Sequence, residues 1–209
     1  TGFLGDCWTR ELVPTDWLTG YMLVLPKKGD PTLAKNLRLI LVEECMSKLY
    51  QCVLNKRLTS YFESICPEYS NGFRPGRGTP DANANCIFKQ VLRKRHEHDL
   101  ESWILFLDIV KAFDRVDRPL LWRILVVVGT PPKMVAVLKS LYVNRKGNLT
   151  ADGIQMLMNI DGGSGQGMIL APRIFSFFLF AIFELWAAEH PDAFSSMFYN
   201  NDNVMTGRQ

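Results

Sequence analysis

Histidine is scarce in this chain and its cysteines make no pairs. The three histidines, His96, His98 and His190, lie in a charged run or beside Pro191, positions that suit solvated surface and a turn, so no histidine-based metal or acid–base centre follows from them. The five cysteines, Cys7, Cys45, Cys52, Cys66 and Cys86, are odd in number and form no C-x-x-C motif. That argues against a zinc site or a disulfide framework and favours free thiols in a reducing compartment. An excess of one charge is missing too: the net charge is +3, so a polyanionic partner has to be sought in how the charge is distributed. No apolar run is long enough for an unambiguous bilayer span. The most apolar stretch, residues 174–188, carries Glu184 and follows Pro172-Arg173, and it reads as a buried helix, with no membrane partner expected. A signal-peptide pattern is absent, and the first residue is Thr1, so the expectation is an excerpt of a longer intracellular protein, nuclear or cytoplasmic and not secreted. Repeats, low-complexity tracts and long linkers are also lacking.

What is present is enough for a core, since 47% of the 209 residues are apolar and 22% charged. The chain is organised around residues 103–118, W-I-L-F-L-D-I-V-K-A-F-D-R-V-D-R. The β-prone run 104–107 predicts a strand that delivers Asp108 at its tip. An acid there needs a partner: it either caps the following helix or binds a cation.

Around this centre, residues 21–25 and 38–42 predict two short strands, and the turn Pro26-Lys27-Lys28-Gly29-Asp30 brings Lys27, Lys28 and Arg38 together as an anion contact or as ordinary solvated charge. The apolar positions Met46, Leu49, Tyr50, Val53, Leu54, Leu58, Tyr61, Phe62 and Ile65 follow a helical period over 43–65. A glycine-rich loop at 71–78 and a helix near 80–95 carry Arg74, Arg77, Lys89, Arg93, Lys94 and Arg95 against few acids, the local positive charge that a phosphate backbone would need. Helices are predicted over 120–128 and 133–143, and a hairpin over 147–160. The cluster Asp161-Gly162-Gly163-Ser164-Gly165-Gln166-Gly167 is neither a P-loop, a dinucleotide fingerprint nor a nucleophile elbow. Residues 194–199 and 204–205 predict a terminal hairpin with Asp202 at or beside its tip.

In this order the strings D-W-L-T-G-Y-M-L-V-L-P-K-K-G-D, N-L-R-L-I, N-G-F-R-P-G-R-G-T-P-D, F-L-D-I-V-K-A-F-D-R-V, G-Q-G-M-I-L-A-P and F-Y-N-N-D resemble the reverse transcriptase domain of non-LTR (LINE-type) retrotransposons over nearly the whole chain. The resemblance implies an α+β fold, a right-hand polymerase with fingers and a partial palm whose sheet packs on helices, and no thumb. Residues 1–100 would be fingers-like and 101–209 palm, with 129–170 contributing to the fingers. It implies an RNA-directed DNA polymerase that joins dNTPs to a DNA primer on an RNA template, using two Mg²⁺ held by Asp108, the backbone oxygen of Ile109, and Asp202. Phe113 would press on the nucleotide sugar and exclude a 2′-hydroxyl, or else serve as an ordinary core aromatic. Lys111 and Ala112 would offer backbone N–H groups to the triphosphate, Lys27 and Arg38 would clamp it, and Gln166 would lie beside the sugar.

The chain also departs from the family pattern. Where the family has Tyr-Ala-Asp-Asp, it reads Tyr199-Asn200-Asn201-Asp202. With Tyr199 fixing the register, Asn201 takes the metal-bridging carboxylate's place; a shift by one residue puts Asp202 there and Asn203 next. The tyrosine and the turn pairing favour the first. Leu37, Leu39 and Gly165 also depart from the usual residues. The resemblance thus leaves an impaired polymerase beside a catalytically inactive RNA-binding module or retrotransposon fossil, and an RNA-templated RNA polymerase behind both. A thumb and an endonuclease domain of a full-length protein are expected partners.

Overall fold

The computed structural model describes residues 2–30, 32–67, 70–77, 84–104, 106–151, 153–190, 198–199 and 205–206. After helix α1 (Phe3–Arg10), strands β1 (Thr19–Pro26) and β2 (Leu37–Val42) pair antiparallel, and helix α2 (Cys45–Ile65) follows. Helices α3 (Ala84–Glu97), α4 (Arg118–Val127) and α5 (Pro132–Tyr142) precede a second hairpin, β3 (Lys146–Ala151) and β4 (Ile154–Asn159). Helix α6 (Ala171–Glu189) and the short antiparallel pair β5 (Phe198–Tyr199) and β6 (Met205–Thr206) complete the α+β chain. The main sheet has the order β2-β1-β3-β4, with β1 and β3 parallel, so strands from both sides of residue 100 share one sheet.

Local chemistry sets the helix starts. The Glu44 carboxylate accepts the N–H groups of Met46 (2.8 Å) and Ser47 (3.1 Å), and the Asp117 carboxylate accepts that of Leu120 (2.7 Å), supplying partners that first-turn amides otherwise lack. Pro119 and Pro172 occupy the first turns of α4 and α6, where no amide donor is needed.

The core joins Tyr50, Leu54, Leu58 and Phe62 of α2 to Leu121 and Leu125 of α4, Leu138 and Leu141 of α5, and Ile174 and Phe177 of α6. The predicted period holds for α2, but its buried stripe is narrower than expected: Met46, Leu49 and Val53 are exposed, and Gln51 is buried instead. Gln51 Nε2 donates to Glu43 Oε1 (2.7 Å), and Glu43 forms a wholly buried ion pair with Arg145, whose Nη1 also donates to the Leu141 carbonyl (2.6 Å). That pair ties the end of β2 to the junction of α5 and β3.

Two expectations need correction. Residues 104–107 are not a strand among the described residues. Its described residues carry no regular secondary structure and are exposed, with Trp103 90% and Phe106 82% accessible, and the one described ring contact is Phe106 edge-on to Phe88 of α3 at 6.2 Å. A β-prone run becomes a strand only where a neighbour supplies a hydrogen-bonding edge, and among the described residues no strand pairs with this run. Helix α6 is likewise buried only in its first half, through Ala171, Arg173, Ile174 and Phe177, whereas Leu185 is 61% exposed. By length and composition alone α6 could cross a membrane; its first half packs on the core, with Arg173 buried against Glu63 (3.7 Å) and over the Phe62 ring.

Candidate active site

The outer end of the β1–β2 hairpin stands clear of the body. Leu23 and Leu25 are exposed, as are Val24 and Leu39 on the opposite face. Leu25 pairs with Arg38, and the Lys27 N–H donates to the Asn36 carbonyl (2.6 Å), extending the ladder by one step. Positions 25, 27 and 38 therefore share a face, and Lys27 and Arg38 sit together at the tip, both exposed.

At the inner end, the Leu41 N–H donates to the Gln166 carbonyl at 2.9 Å. The loop at 162–167 lies along β2 because its glycines permit it. Gly167 has φ +105°, and a Cβ there would run into the carbonyl oxygen of Leu41. Gly163 has φ +75°, and a Cβ there would come within 2.8 Å of the Phe113 carbonyl oxygen. Main chain meets main chain on both sides of the loop.

That second contact brings in the central segment. Residues 111–115 form a turn closed by the Asp114 N–H to the Lys111 carbonyl (2.9 Å), with Lys111 at φ +54°. The Phe113 carbonyl accepts the Ser164 N–H (2.8 Å), and its half-buried ring stacks on Phe175 of α6 and meets Phe73 edge-on (6.1 Å). Phe113, the Gln166 loop and strand β2, far apart in sequence, are thus joined through main-chain contacts. Lys111 is exposed and Ala112 half-buried in the same turn. Asp108 and Ile109 precede it, both exposed and outside regular secondary structure, so a carboxylate and a carbonyl oxygen, both hard donors, are open to a cation. No cluster of three metal-ligating side chains occurs among the described residues. Asn201 and Asp202 lie outside them.

The expected nucleic-acid residues divide into two groups. Arg74 as a phosphate contact is corrected. Its guanidinium is buried, paired with Glu63 (2.8 Å), and its Nη1 donates to the carbonyls of Pro67 and Ser70, both at 2.9 Å. It holds the end of α2 to the glycine-rich loop. Arg77, in the same loop, donates its N–H to the Arg74 carbonyl (3.3 Å). Lys89, Arg93, Lys94 and Arg95 lie on α3. Arg93 and Lys94 both reach Glu97 (2.9 and 2.8 Å) and hold its carboxyl below the usual range, while Arg95 bonds Ser102 (2.8 Å).

Sequence reasoning assigned no role to the residues that hold these segments together. Tyr142 and Phe175 lie outside the motif strings, and Arg118 and Phe73 sit inside quoted stretches without a role. An arginine or tyrosine in an otherwise apolar helical stretch is the one available signal, and only the fold shows what it meets.

A family model described as reverse transcriptase (RNA-dependent DNA polymerase) matches residues 25–205. An RNA-directed DNA polymerase from mobile element jockey of Drosophila funebris is 33% identical over 134 residues, 62% of this chain and 14% of that protein. The jockey polymerase of Drosophila melanogaster and a probable RNA-directed DNA polymerase from its transposon X-element are each 29% identical over 79% of this chain and 18% of their own lengths. The chain thus spans less than a fifth of these curated relatives. The solved structure of apo telomerase from Candida tropicalis, truncated from its C-terminal domain, aligns with TM-score 0.57 and 13% identity over 91% of this chain and 44% of that one, a likeness of fold.

Proposed function

Because the chain belongs to the reverse transcriptase (RNA-dependent DNA polymerase) family, we propose that the place where Phe113, the Gln166 loop and β2 meet is the nucleotide pocket of an RNA-templated DNA polymerase of LINE type. The observation that carries this reading is the meeting of Phe113, the Gln166 loop and β2 in one place. Lys27 and Arg38 at the hairpin tip bind triphosphate oxygens, the arginine fork matching phosphate geometry. The N–H groups of Lys111 and Ala112 add neutral donors. The Phe113 ring, held by Phe175, rests against the sugar where a 2′-hydroxyl would stand, and Gln166 borders the same sugar. Residues 1–100 act as fingers and residues 101–209 as palm, with the β3–β4 hairpin serving the fingers sheet.

The donors at Asp108 and Ile109 fit Mg²⁺ in chemistry, and Asp202 would complete the set. When bound, two such ions lower the pKa of the primer 3′-hydroxyl and neutralise charge on the departing pyrophosphate. Asn201 offers an amide oxygen but no charge, which weakens ion binding. The α3 residues Lys89, Arg93, Lys94 and Arg95, with Arg77, track the phosphate backbone of template and primer. An RNA template and free thiols both suit an intracellular setting, and the five cysteines are free.

Primer extension on an RNA template tests the reading. The unmodified sequence, fused to a family thumb, gives weak Mg²⁺-dependent extension with dNTPs, and Asn201→Asp raises it. Vigorous extension by the unmodified sequence would overturn the impaired-site argument. No extension by either form, with RNA binding intact, would favour the RNA-binding module. Preference for rNTPs would point to an RNA polymerase.

A further inference from the structure

We infer that Arg118 is the positioning residue of the nucleotide pocket: it fixes the glycine loop that carries Gln166 and, through that loop, the main chain of Phe113. The inference rests on the nucleotide-pocket reading above. Arg118 opens α4 and is only 8% exposed. Its Nε donates to the Gly163 carbonyl (2.9 Å), Nη2 to that of Gly162 (2.8 Å), and Nη1 to those of Ile160 (2.7 Å) and Tyr142 (3.1 Å). One planar fork thus gathers the end of α5, the exit of β4 and the start of the loop. No carboxylate lies within ion-pair distance among the described residues. The charge rests on carbonyl dipoles and on the face of the Tyr142 ring, 5.1 Å away, with Asp161 attracting it from farther off.

The loop is held on two sides. Its carbonyls face Arg118 and the Tyr142 hydroxyl, which donates to the Ser164 carbonyl (2.9 Å). Its N–H groups face the central segment, Gly163 donating to Val116 (3.1 Å) and Ser164 to Phe113 (2.8 Å). Release of the carbonyl side frees the loop to drift from Phe113, and Gln166 follows two residues on. A lysine has no planar fork and cannot reproduce this set of bonds. Burial lowers the Arg118 pKa, but a guanidinium starts high enough to stay charged.

Three variants, Arg118→Lys, Arg118→Ala and Tyr142→Phe, provide the test, the last removing only the hydroxyl hold on Ser164. Two quantities are measured: hydrogen exchange at residues 161–168, and the affinities for 2′-deoxyadenosine triphosphate and adenosine triphosphate with a primer–template duplex present. Both Arg118 variants are expected to exchange about tenfold faster at Ser164, as loss of charge-assisted hydrogen bonds implies, with α5 still protected. Their preference for the deoxynucleotide narrows, Tyr142→Phe shows a smaller change in the same direction, and guanidinium ion partly restores the loop in Arg118→Ala. Unchanged exchange and unchanged sugar preference in folded variants would overturn the inference. If the unmodified chain binds neither nucleotide, the pocket reading falls, and the exchange data decide the role of Arg118 by themselves.

Discussion

The ring of Phe113 stacks on that of Phe175, centroids 5.0 Å apart and planes 29° apart. The proposed sugar gate therefore takes its position from the second turn of α6, more than sixty residues downstream.

This pairing predicts the effect of trimming either ring. In an Asn201→Asp background, Phe113→Val admits ribonucleotides about tenfold more readily relative to deoxynucleotides, the scale of a modest steric pocket change. Phe175→Ala moves the ratio in the same direction by less and costs about 1–3 kcal/mol, because the ring is half-buried. Competitive incorporation measures the first effect and denaturant unfolding the second. An unchanged ratio in both variants would remove Phe113 from sugar selection.

Gly167 and Gly76 form a matched pair. Both have positive φ, but a Cβ at Gly167 meets the Leu41 carbonyl, whereas one at Gly76 meets nothing within 4 Å. Gly167→Ala should cost about 1–3 kcal/mol more than Gly76→Ala, whose penalty is conformational alone. Equal shifts in thermal unfolding would show that the loop does not lie against β2 in solution.

How far these contacts were legible differs from residue to residue. Helices α2, α4, α5 and α6 and the two hairpins of the main sheet followed from periodicity and turn residues, because their signals are local. The strand expected at 104–107 did not, since strand formation depends on a partner edge that the run itself does not encode. Arg74 looked like a phosphate contact beside Arg77, and only the nearness of Glu63 turned it inward. Phe113 and Gln166 take their roles from the family resemblance, whereas Lys27 and Arg38 are marked also by the turn that brings them together. Arg118 gives no such signal, because its partners are backbone carbonyls, which leave no trace in residue types.

Arg74 and the α3 cations should separate in two assays. Arg74→Ala leaves Glu63 with one fewer partner and costs about 2–3 kcal/mol, below the range for a fully buried pair because Glu63 is 31% exposed. It leaves the salt dependence of RNA binding unaltered. Lys89→Ala and Arg93→Ala change stability by no more than about 0.5 kcal/mol, and each lowers the logarithmic salt slope by about 1. The reverse pattern would return Arg74 to the nucleic-acid surface.

Tyr50 sets part of the alkaline limit. Burial, and to a lesser degree the Cys7 thiol, pushes its hydroxyl up to about 12, against about 10 in an unfolded chain. Above the lower value the unfolded chain gives up a proton that the native state keeps, so this contribution is whole below pH ~10 and is lost as pH rises toward ~12. The hydroxyl has no hydrogen-bond partner among the described residues. Tyr50→Phe is therefore expected to fall within about 0.5 kcal/mol of the parent at neutral pH and to unfold at higher pH. Superimposable alkaline unfolding curves would rule out this contribution.

The hydrogen bond from Leu41 to the Gln166 carbonyl has a mechanical meaning. Arg38 lies three residues from Leu41 on the same strand, about 10 Å at ordinary strand rise. Strand β2 is stiffened along that length by its ladder with β1. Tip and glycine loop are therefore linked along one strand, so a shift of either end of β2 is felt at the other through main chain alone.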